Sequence, residues 1–130
     1  MKLLLDTHVL LWSASAPQKL PLKIRSLIEE RNNELYFSSA SLWEIVIKNS
    51  LGRSDFVVDP RVFRTALIDH GYKEIPIRSE HVLFAHDLPA IHKDPFDRIL
   101  VAQGCIEGMG ILTVDQMVID YGGTVILDED

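Results

Sequence analysis

The sequence is short of cysteine, and this shortage removes two kinds of structure. Cys105 is the single cysteine, so the chain has neither an internal disulfide nor a zinc site built from several thiolates. One isolated thiol is typical of a reducing compartment, and we expect a cytoplasmic protein.

Long apolar runs are also missing. No segment approaches the roughly 18 consecutive apolar residues that a membrane span requires, so we expect no association with a membrane. The amino-terminal run MKLLLDTHVLLW resembles a signal peptide at first sight. However, Asp6 and His8 interrupt it and no clean cleavage site follows. We therefore interpret its first residues as a buried strand that belongs to the fold.

Positive charge is in deficit. The chain has 13 Lys and Arg residues against 19 Asp and Glu residues, a net charge of -6 at pH 7. A uniformly acidic surface repels phosphate, which argues against a protein that binds nucleic acid by its overall charge alone. The deficit is compatible with acids that are concentrated at one place and neutralised there by a divalent cation.

The composition that remains is that of an ordinary globular protein. With 130 residues, 47% of them hydrophobic and 25% charged, the chain is predicted to form one domain, residues 1–130, with a substantial core. Strand-like segments are predicted at 2–6, 34–39, 72–77, 110–115 and 124–128. Helical patterns separate them, which predicts an α/β fold with a mainly parallel sheet between two layers of helices.

Local signals predict where several helices begin. The expected N-cap residues are, in chain order, Ser39 or Ser41, Asp59, Ser79 and Asp94. Asp59 and Asp94 are each followed by proline, which favours the first position of a helix. Pro76 cannot donate a ladder hydrogen bond, so we expect the third strand to lie at an edge of the sheet.

Four acids lie where strands are predicted to end or helices to begin. Asp6 and Asp115 are the last residues of the predicted first and fourth strands. Glu44 lies near the start of the helix that follows the second strand, and Asp97 lies in the first turn of the helix that follows Asp94. Because binding sites of parallel sheets form beyond the carboxyl ends of the strands, these acids are expected at one edge of the sheet.

Each acid also has an ordinary structural interpretation. Asp6 and Asp115 are suited to cap the following helices, and Glu44 to form a surface pair with Lys48 one helical turn later. Asp94 and Asp97 both favour the positive end of a helix dipole, and for Asp94 we prefer this capping role.

The coincidence of four such acids at one edge indicates chemistry. Four converging carboxylates repel one another strongly unless a cation lies between them. Oxygen ligands without cysteine favour Mg²⁺, or Mn²⁺ as a substitute, over zinc. His8, His86 and His92 lie near the acids in sequence but show no zinc-ligand spacing. Trp12 and Trp43 lie beside aliphatic residues, and we expect both to pack into the core.

The chain resembles a known family through four motifs in order: LLLDTHVLLW, SSASLWEIVIK, HKDPFDRILVAQ and ILTVD. They resemble the PIN-domain ribonucleases, specifically the VapC-type toxins of toxin–antitoxin modules. The resemblance implies a three-layer α/β/α sandwich whose five-stranded, mainly parallel sheet has the order 3-2-1-4-5. It also implies a Mg²⁺-dependent endoribonuclease that leaves 5′-phosphate and 3′-hydroxyl ends.

The resemblance also implies roles for individual residues. The family's catalytic and metal-binding quartet corresponds to Asp6, Glu44, Asp97 and Asp115. Secondary positions correspond to Asp94, Thr7 and Thr113; whether Asp94 contacts the metal is left open. Basic residues near the motifs are candidates for RNA phosphate contacts: Lys48, Arg53, Lys93 and Arg98. For Arg98 we favour a structural pair with a neighbouring carboxylate.

The family setting further implies partners, namely a cognate VapB-type antitoxin, an RNA substrate and a second copy of the chain in a homodimer. The class of RNA, whether transfer, ribosomal or messenger, stays open. One alternative function is that of a small Mg²⁺-binding phospho-receiver domain, but KEIPIRS and TVILDED supply neither its phosphoacceptor aspartate nor its lysine. Another is a catalytically inactive PIN-fold binding module.

Overall fold

Parallel strands form a single sheet in the computed structural model, which describes residues 1–52, 57–91, 93–121 and 125–127. The sheet has five strands in the order β3-β2-β1-β4-β5, and each neighbouring pair is parallel. The strands are β1 (Lys2–Leu5), β2 (Glu34–Ser38), β3 (Lys73–Ile75), β4 (Gly110–Thr113) and β5 (Val125–Leu127). The predicted α/β class and strand order are thus confirmed, with β3 at an edge.

Helices connect the strands, as parallel neighbours in a sheet require. They are α1 (Thr7–Ser15), α2 (Leu22–Glu29), α3 (Ser39–Ser50), α4 (Pro60–Asp69), α5 (Ser79–Asp87), α6 (Pro95–Glu107) and α7 (Gln116–Ile119), with a short 3₁₀ helix at Pro17–Lys19. No helix in the described ranges combines the length and the apolar character that crossing a bilayer demands.

The alternation of side chains along β1 divides the core into two layers. Leu3 and Leu5 belong to a cluster with residues of α1, α2, α3 and α4. Leu4 points to the opposite face, where it packs with Leu100 of α6. All three leucines are fully buried, as expected for a central strand that is covered on both faces. The result is the predicted three-layer arrangement.

Helix α6 approaches the sheet closely because it carries a glycine. A Cβ atom at Gly104 would lie 2.7 Å from Cδ1 of Ile111 in β4, a separation that a packed core does not accommodate without a shift. The absence of this side chain therefore sets how near α6, and the acid in its first turn, lies to the centre of the sheet.

Two of the predicted helix caps are wrong. The N-cap of α3 is Ser38, whose hydroxyl accepts from the backbone N–H of Ala40, and not Ser39 or Ser41. Helix α5 is capped at Arg78 rather than Ser79, and the backbone N–H of Arg78 donates to Nδ1 of His81. Sequence patterns did not show which of Ser38, Ser39 and Ser41 begins α3. They also gave no sign that a histidine side chain would accept the hydrogen bond at the start of α5.

The other two predicted helix caps, Asp59 and Asp94, are confirmed. The side chains of Asp59 and Asp94 accept hydrogen bonds at the starts of α4 and α6.

Two strands end slightly earlier than predicted. Strand β1 ends at Leu5 and β4 ends at Thr113. The acids predicted to be the last residues of these strands therefore lie one and two positions beyond them.

Candidate active site

Asp6 lies at the centre of the carboxyl edge of the sheet. Its backbone N–H donates to the carbonyl of Leu112 in β4 at 3.1 Å, and its Oδ1 accepts from the N–H of Val9 at 2.9 Å. Its Oδ2 accepts a short hydrogen bond from the hydroxyl of Thr113. The carboxylate thus caps α1, as its ordinary interpretation predicts, and is also fixed to the neighbouring strand.

The surroundings of Asp6 disfavour its charged form. Burial raises the pKa of this carboxyl to about 6, although the hydrogen bonds from Thr113 and Val9 act in the opposite direction. The negative charge of Glu44 adds to the increase. Glu44 is therefore close enough to act on Asp6 electrostatically.

Glu44 lies just beyond the first turn of α3, near the start of the helix as the sequence predicts, and only 3% of its surface is exposed. Its Oε1 accepts from the hydroxyl of Thr7 at 2.6 Å, and its Oε2 accepts from Nζ of Lys48 at 2.6 Å. The Thr7 hydroxyl also lies 2.9 Å from that of Ser41. The predicted pair with Lys48 exists, but it is buried beside the acids instead of lying on an open surface.

Asp97 points from the first turn of α6 toward the other acids. Burial is the largest influence on its pKa, which is raised to about 8, and the negative charges of Asp94, Asp6, Glu44 and Asp115 each raise it further. The structure therefore brings the four acids of the predicted quartet into one electrostatic cluster, with Asp94 at its border. We call Asp6, Glu44, Asp97 and Asp115 the acidic quartet.

Thr113 joins two members of the quartet. This buried residue donates its hydroxyl proton to Asp6, and the same hydroxyl accepts from the backbone N–H of Asp115 at 3.0 Å. Asp115 in turn begins α7, since its carbonyl accepts from the N–H groups of Val118 and Ile119. One threonine at the end of β4 thus sets the positions of acids on both sides of it.

The donor set of the quartet fits a hard divalent cation. The atoms that the quartet offers to a metal ion are all carboxylate oxygens, with the Thr7 and Thr113 hydroxyls beside them. Such oxygens suit Mg²⁺ or Mn²⁺. Within the part of the chain that the structure describes, the compact group of three possible metal ligands lies outside the quartet. Mg²⁺ retains several of its waters in proteins and therefore suits carboxylates that do not touch one another.

A tighter group lies elsewhere, at Glu80, His81 and Glu107. Both imidazole nitrogens of His81 are engaged, Nδ1 by the N–H of Arg78 and Nε2 by Glu107 at 2.9 Å. The Arg78 guanidinium also contacts both glutamates. The hydrogen bond from His81 is the main cause of a lowered Glu107 pKa. The Arg78 guanidinium supplies the positive charge that these glutamates require, and the group joins α5 to α6.

The predicted phosphate-binding residues differ in their surroundings. The Arg98 guanidinium donates to the backbone carbonyls of Ala85, Leu88 and Pro89 and to the Tyr121 hydroxyl, so these contacts fix the end of α5. Lys93 is exposed and Lys48 is largely buried. Arg53 and His92 lie outside the described residues.

Trp43 is not in the core, and the prediction that it would be buried is wrong. It is 54% exposed, and its ring meets that of Phe96 edge-on with 5.1 Å between centroids. Trp12, in contrast, packs against the core as expected. Since Phe96 immediately precedes Asp97, the aromatic pair bridges α3 and α6 beside the quartet. Nothing in the aliphatic surroundings of Trp43 in the sequence indicated this exposure.

Comparisons with solved structures find the same fold in proteins of low sequence identity. VapBC2 from Rickettsia felis, solved with a DNA fragment from its promoter, matches with a TM-score of 0.65 and 14% identity, over 98% of both chains. FitAcB from Neisseria gonorrhoeae matches with 0.63 and 14%, over 97% of this chain and 96% of that one. A toxin–antitoxin complex from Klebsiella pneumoniae matches with 0.60 and 16%, over 95% and 94%.

Sequence comparison assigns the family. No curated protein matches the chain significantly, but the family model of the PIN domain matches residues 3–123. That range contains every member of the acidic quartet, strands β2, β3 and β4 and all of β1 except Lys2, and it ends before β5. The chain belongs to the PIN domain family.

Proposed function

We propose that this chain is a Mg²⁺-dependent endoribonuclease that acts as the toxin of a toxin–antitoxin pair. Membership of the PIN domain family supports a nuclease, and the similarity of the fold to chains of toxin–antitoxin complexes supports the toxin role. The observation that carries the proposal is the convergence of acids from distant parts of the chain at the carboxyl edge of the sheet, where Asp6, Glu44 and Asp115 all lie close enough to act electrostatically on the largely buried Asp97.

The acidic quartet would hold the cation, with Asp6 and Asp97 as direct ligands and Glu44 and Asp115 as direct or water-mediated ones. When bound, Mg²⁺ or Mn²⁺ supplies Lewis-acid activation of water and neutralises charge on the phosphate. The hydroxyl of Thr113 holds Asp6 in its orientation, and the hydroxyl of Thr7 does the same for Glu44. These contacts keep the carboxylates in place before a substrate arrives.

The proposed reaction is hydrolysis of an RNA phosphodiester. A water oxygen attacks phosphorus, the bond from phosphorus to the 3′ oxygen breaks, and the products carry a 5′-phosphate and a 3′-hydroxyl. Glu44 or Asp115 is suited to accept the proton of the attacking water. Lys48, Arg53, Lys93 and Arg98 remain the candidate phosphate contacts, and exposed Lys93 is the most accessible of those described.

The proposed partners follow from the same comparisons. The similar structures from Klebsiella pneumoniae and Rickettsia felis are described as a toxin–antitoxin complex and as VapBC2, which supports a VapB-type antitoxin for this chain. A homodimer is proposed from the family alone. Transfer, ribosomal and messenger RNA are all open as targets.

The test compares wild type with Asp6→Asn and Asp97→Asn. We expect wild type to cleave total cellular RNA in Mg²⁺ and to arrest growth on expression. Each variant should lose at least 100-fold in rate, on the order expected when catalytic electrostatics are removed. Asp59→Asn is the matched control, since Asp59 is an exposed N-cap of α4 and asparagine also caps helices.

Two outcomes would contradict the proposal. Cleavage by both variants at the wild-type rate would show that the quartet is not the site. A folded wild type that binds an antitoxin but cleaves no RNA under any divalent cation would favour the alternative of an inactive binding module.

A further inference from the structure

Lys48 forms an ion pair with Glu44 that differs in burial from another ion pair of the same spacing among the described residues. Arg25 and Glu29 are also one helical turn apart, but their side chains are 46% and 67% exposed. The side chains of Lys48 and Glu44 are only 17% and 4% exposed. Exposed pairs contribute little to stability, whereas a shielded pair interacts more strongly because water screens it less.

The lysine completes the set of donors to Glu44. One oxygen of this carboxylate accepts from Thr7 at 2.6 Å, and the other accepts from the Lys48 ammonium at 2.6 Å. A buried carboxylate requires such partners, since an unpaired charge is costly away from water. A divalent cation that approaches this second oxygen must therefore share it with Lys48 or displace the ammonium.

A second acid lies within reach of the same ammonium. Nζ of Lys48 is 3.9 Å from Oδ2 of Asp94, the residue that caps α6 one turn before Asp97. The other oxygen of Asp94 accepts from the N–H of Phe96. If Lys48 moved away from Glu44, its charge would therefore still have a partner, and the lysine would still join α3 to α6.

We propose that Lys48 is a positioning residue that acts as the built-in counter-ion of the acidic quartet. It holds Glu44 in place in the metal-free protein, and it competes with the divalent cation for Glu44. On cation binding it transfers its contact toward Asp94. The competition rests on the proposed function, because that proposal supplies the cation, whereas the positioning of Glu44 does not depend on it.

The competition is tested with Mn²⁺ binding to the purified full chain, measured by titration calorimetry or from the resonance of free Mn²⁺. Lys48→Met keeps most of the aliphatic length and removes the charge. We expect it to bind Mn²⁺ about tenfold more tightly than wild type, the effect of one nearby like charge removed. Arg25→Met causes the same change of net charge at the exposed pair and should bind like wild type.

The positioning role is tested without any metal, by thermal unfolding in EDTA. Lys48→Met should unfold at a lower temperature than wild type, and Lys48→Arg should restore most of the difference. In a Glu44→Gln background the loss caused by Lys48→Met should be much smaller, because the charge that it served is gone. Additive effects of the two substitutions would overturn the positioning role.

The two proposals fail in distinguishable ways. If wild type binds Mn²⁺ and Asp97→Asn abolishes that binding, but Lys48→Met binds no more tightly than wild type, the competition is overturned and the cation site stands. If wild type binds no Mn²⁺, the proposed cation site and the competition are both overturned. The double-mutant experiment in EDTA decides the positioning role in either case.

Discussion

Asp97 retains its proton at neutral pH in the metal-free protein, because burial and the neighbouring acids together raise its pKa to about 8. In the unfolded chain the same carboxyl titrates near its ordinary value of about 4. Between these values the folded protein binds the additional proton, so this residue makes the free energy of unfolding decrease as pH rises from about 4 to about 8. The buried Asp6, with a pKa of about 6, acts in the same direction over a narrower range.

Asp97→Asn should therefore stabilise the metal-free protein, and increasingly so as pH rises. Asparagine imitates the neutral acid, so the variant and wild type should unfold alike near pH 4. Above pH 8 the variant should be more stable than wild type by a few kcal/mol, because each tenfold difference in proton affinity between the folded and the unfolded chain corresponds to about 1.4 kcal/mol. Thermal unfolding in EDTA at several pH values measures the difference directly.

Asp59→Asn provides the control for this experiment, since Asp59 is an exposed acid outside the quartet. Its difference from wild type should not change between pH 6 and pH 9. An Asp97→Asn variant whose advantage is likewise constant with pH would show that the charge of Asp97 is not what destabilises the folded state.

At the scale of a single element, α6 combines a structural acid with a candidate ligand in one turn. Asp94 accepts from the N–H of Phe96 and so caps the helix, and Pro95 fixes the first helical position. Asp97 follows and points into the acidic quartet. Gly104, further along, permits the close approach to β4 that positions this first turn.

Asp94→Ala and Asp94→Asn separate the cap from the charge. Loss of the N-cap in the alanine variant should lower the free energy of unfolding by about 1 kcal/mol. Asparagine also accepts the hydrogen bond, so that variant should stay within roughly 0.5 kcal/mol of wild type. Denaturant unfolding in EDTA measures both, and equal losses would mean that the charge of Asp94, and not its cap, stabilises the helix.

At the scale of the whole molecule, the quartet joins segments that lie far apart in the chain. Asp6 follows β1, Asp115 follows β4, and Glu44 and Asp97 lie on α3 and α6. A ligand that binds all of them binds only the folded state, and it stabilises that state by mass action.

Divalent cations should therefore stabilise wild type and not Asp97→Asn. At a free Mn²⁺ concentration 100 times the dissociation constant, the gain for wild type should be about 2.7 kcal/mol. Thermal unfolding with and without Mn²⁺ at pH 7.5 measures it. An equal gain in Asp97→Asn would indicate that the cation binds elsewhere on this acidic protein.

Local patterns in the sequence predicted the α/β class and the edge of the sheet at which the acids meet, whereas the strand order was implied by the resemblance to the PIN family. Apolar runs and Asp-Pro pairs are readable without tertiary information, and they indicated the strands and the caps at Asp59 and Asp94. Other features arise only when distant residues meet. The hydroxyl of Thr113 on Asp6, the second contact of Lys48 with Asp94 and the exposure of Trp43 result from packing between elements, and no local pattern encodes them.

The hydrogen bond between Thr113 and Asp6 spans 107 positions of the chain. During synthesis, a nascent polypeptide must be complete beyond β4 before β1 acquires its central neighbour and the carboxylates assemble. A product truncated before that point carries Asp6, Glu44 and Asp97 without the strand that aligns them. Under the proposed function, incomplete translation would therefore release only inactive fragments.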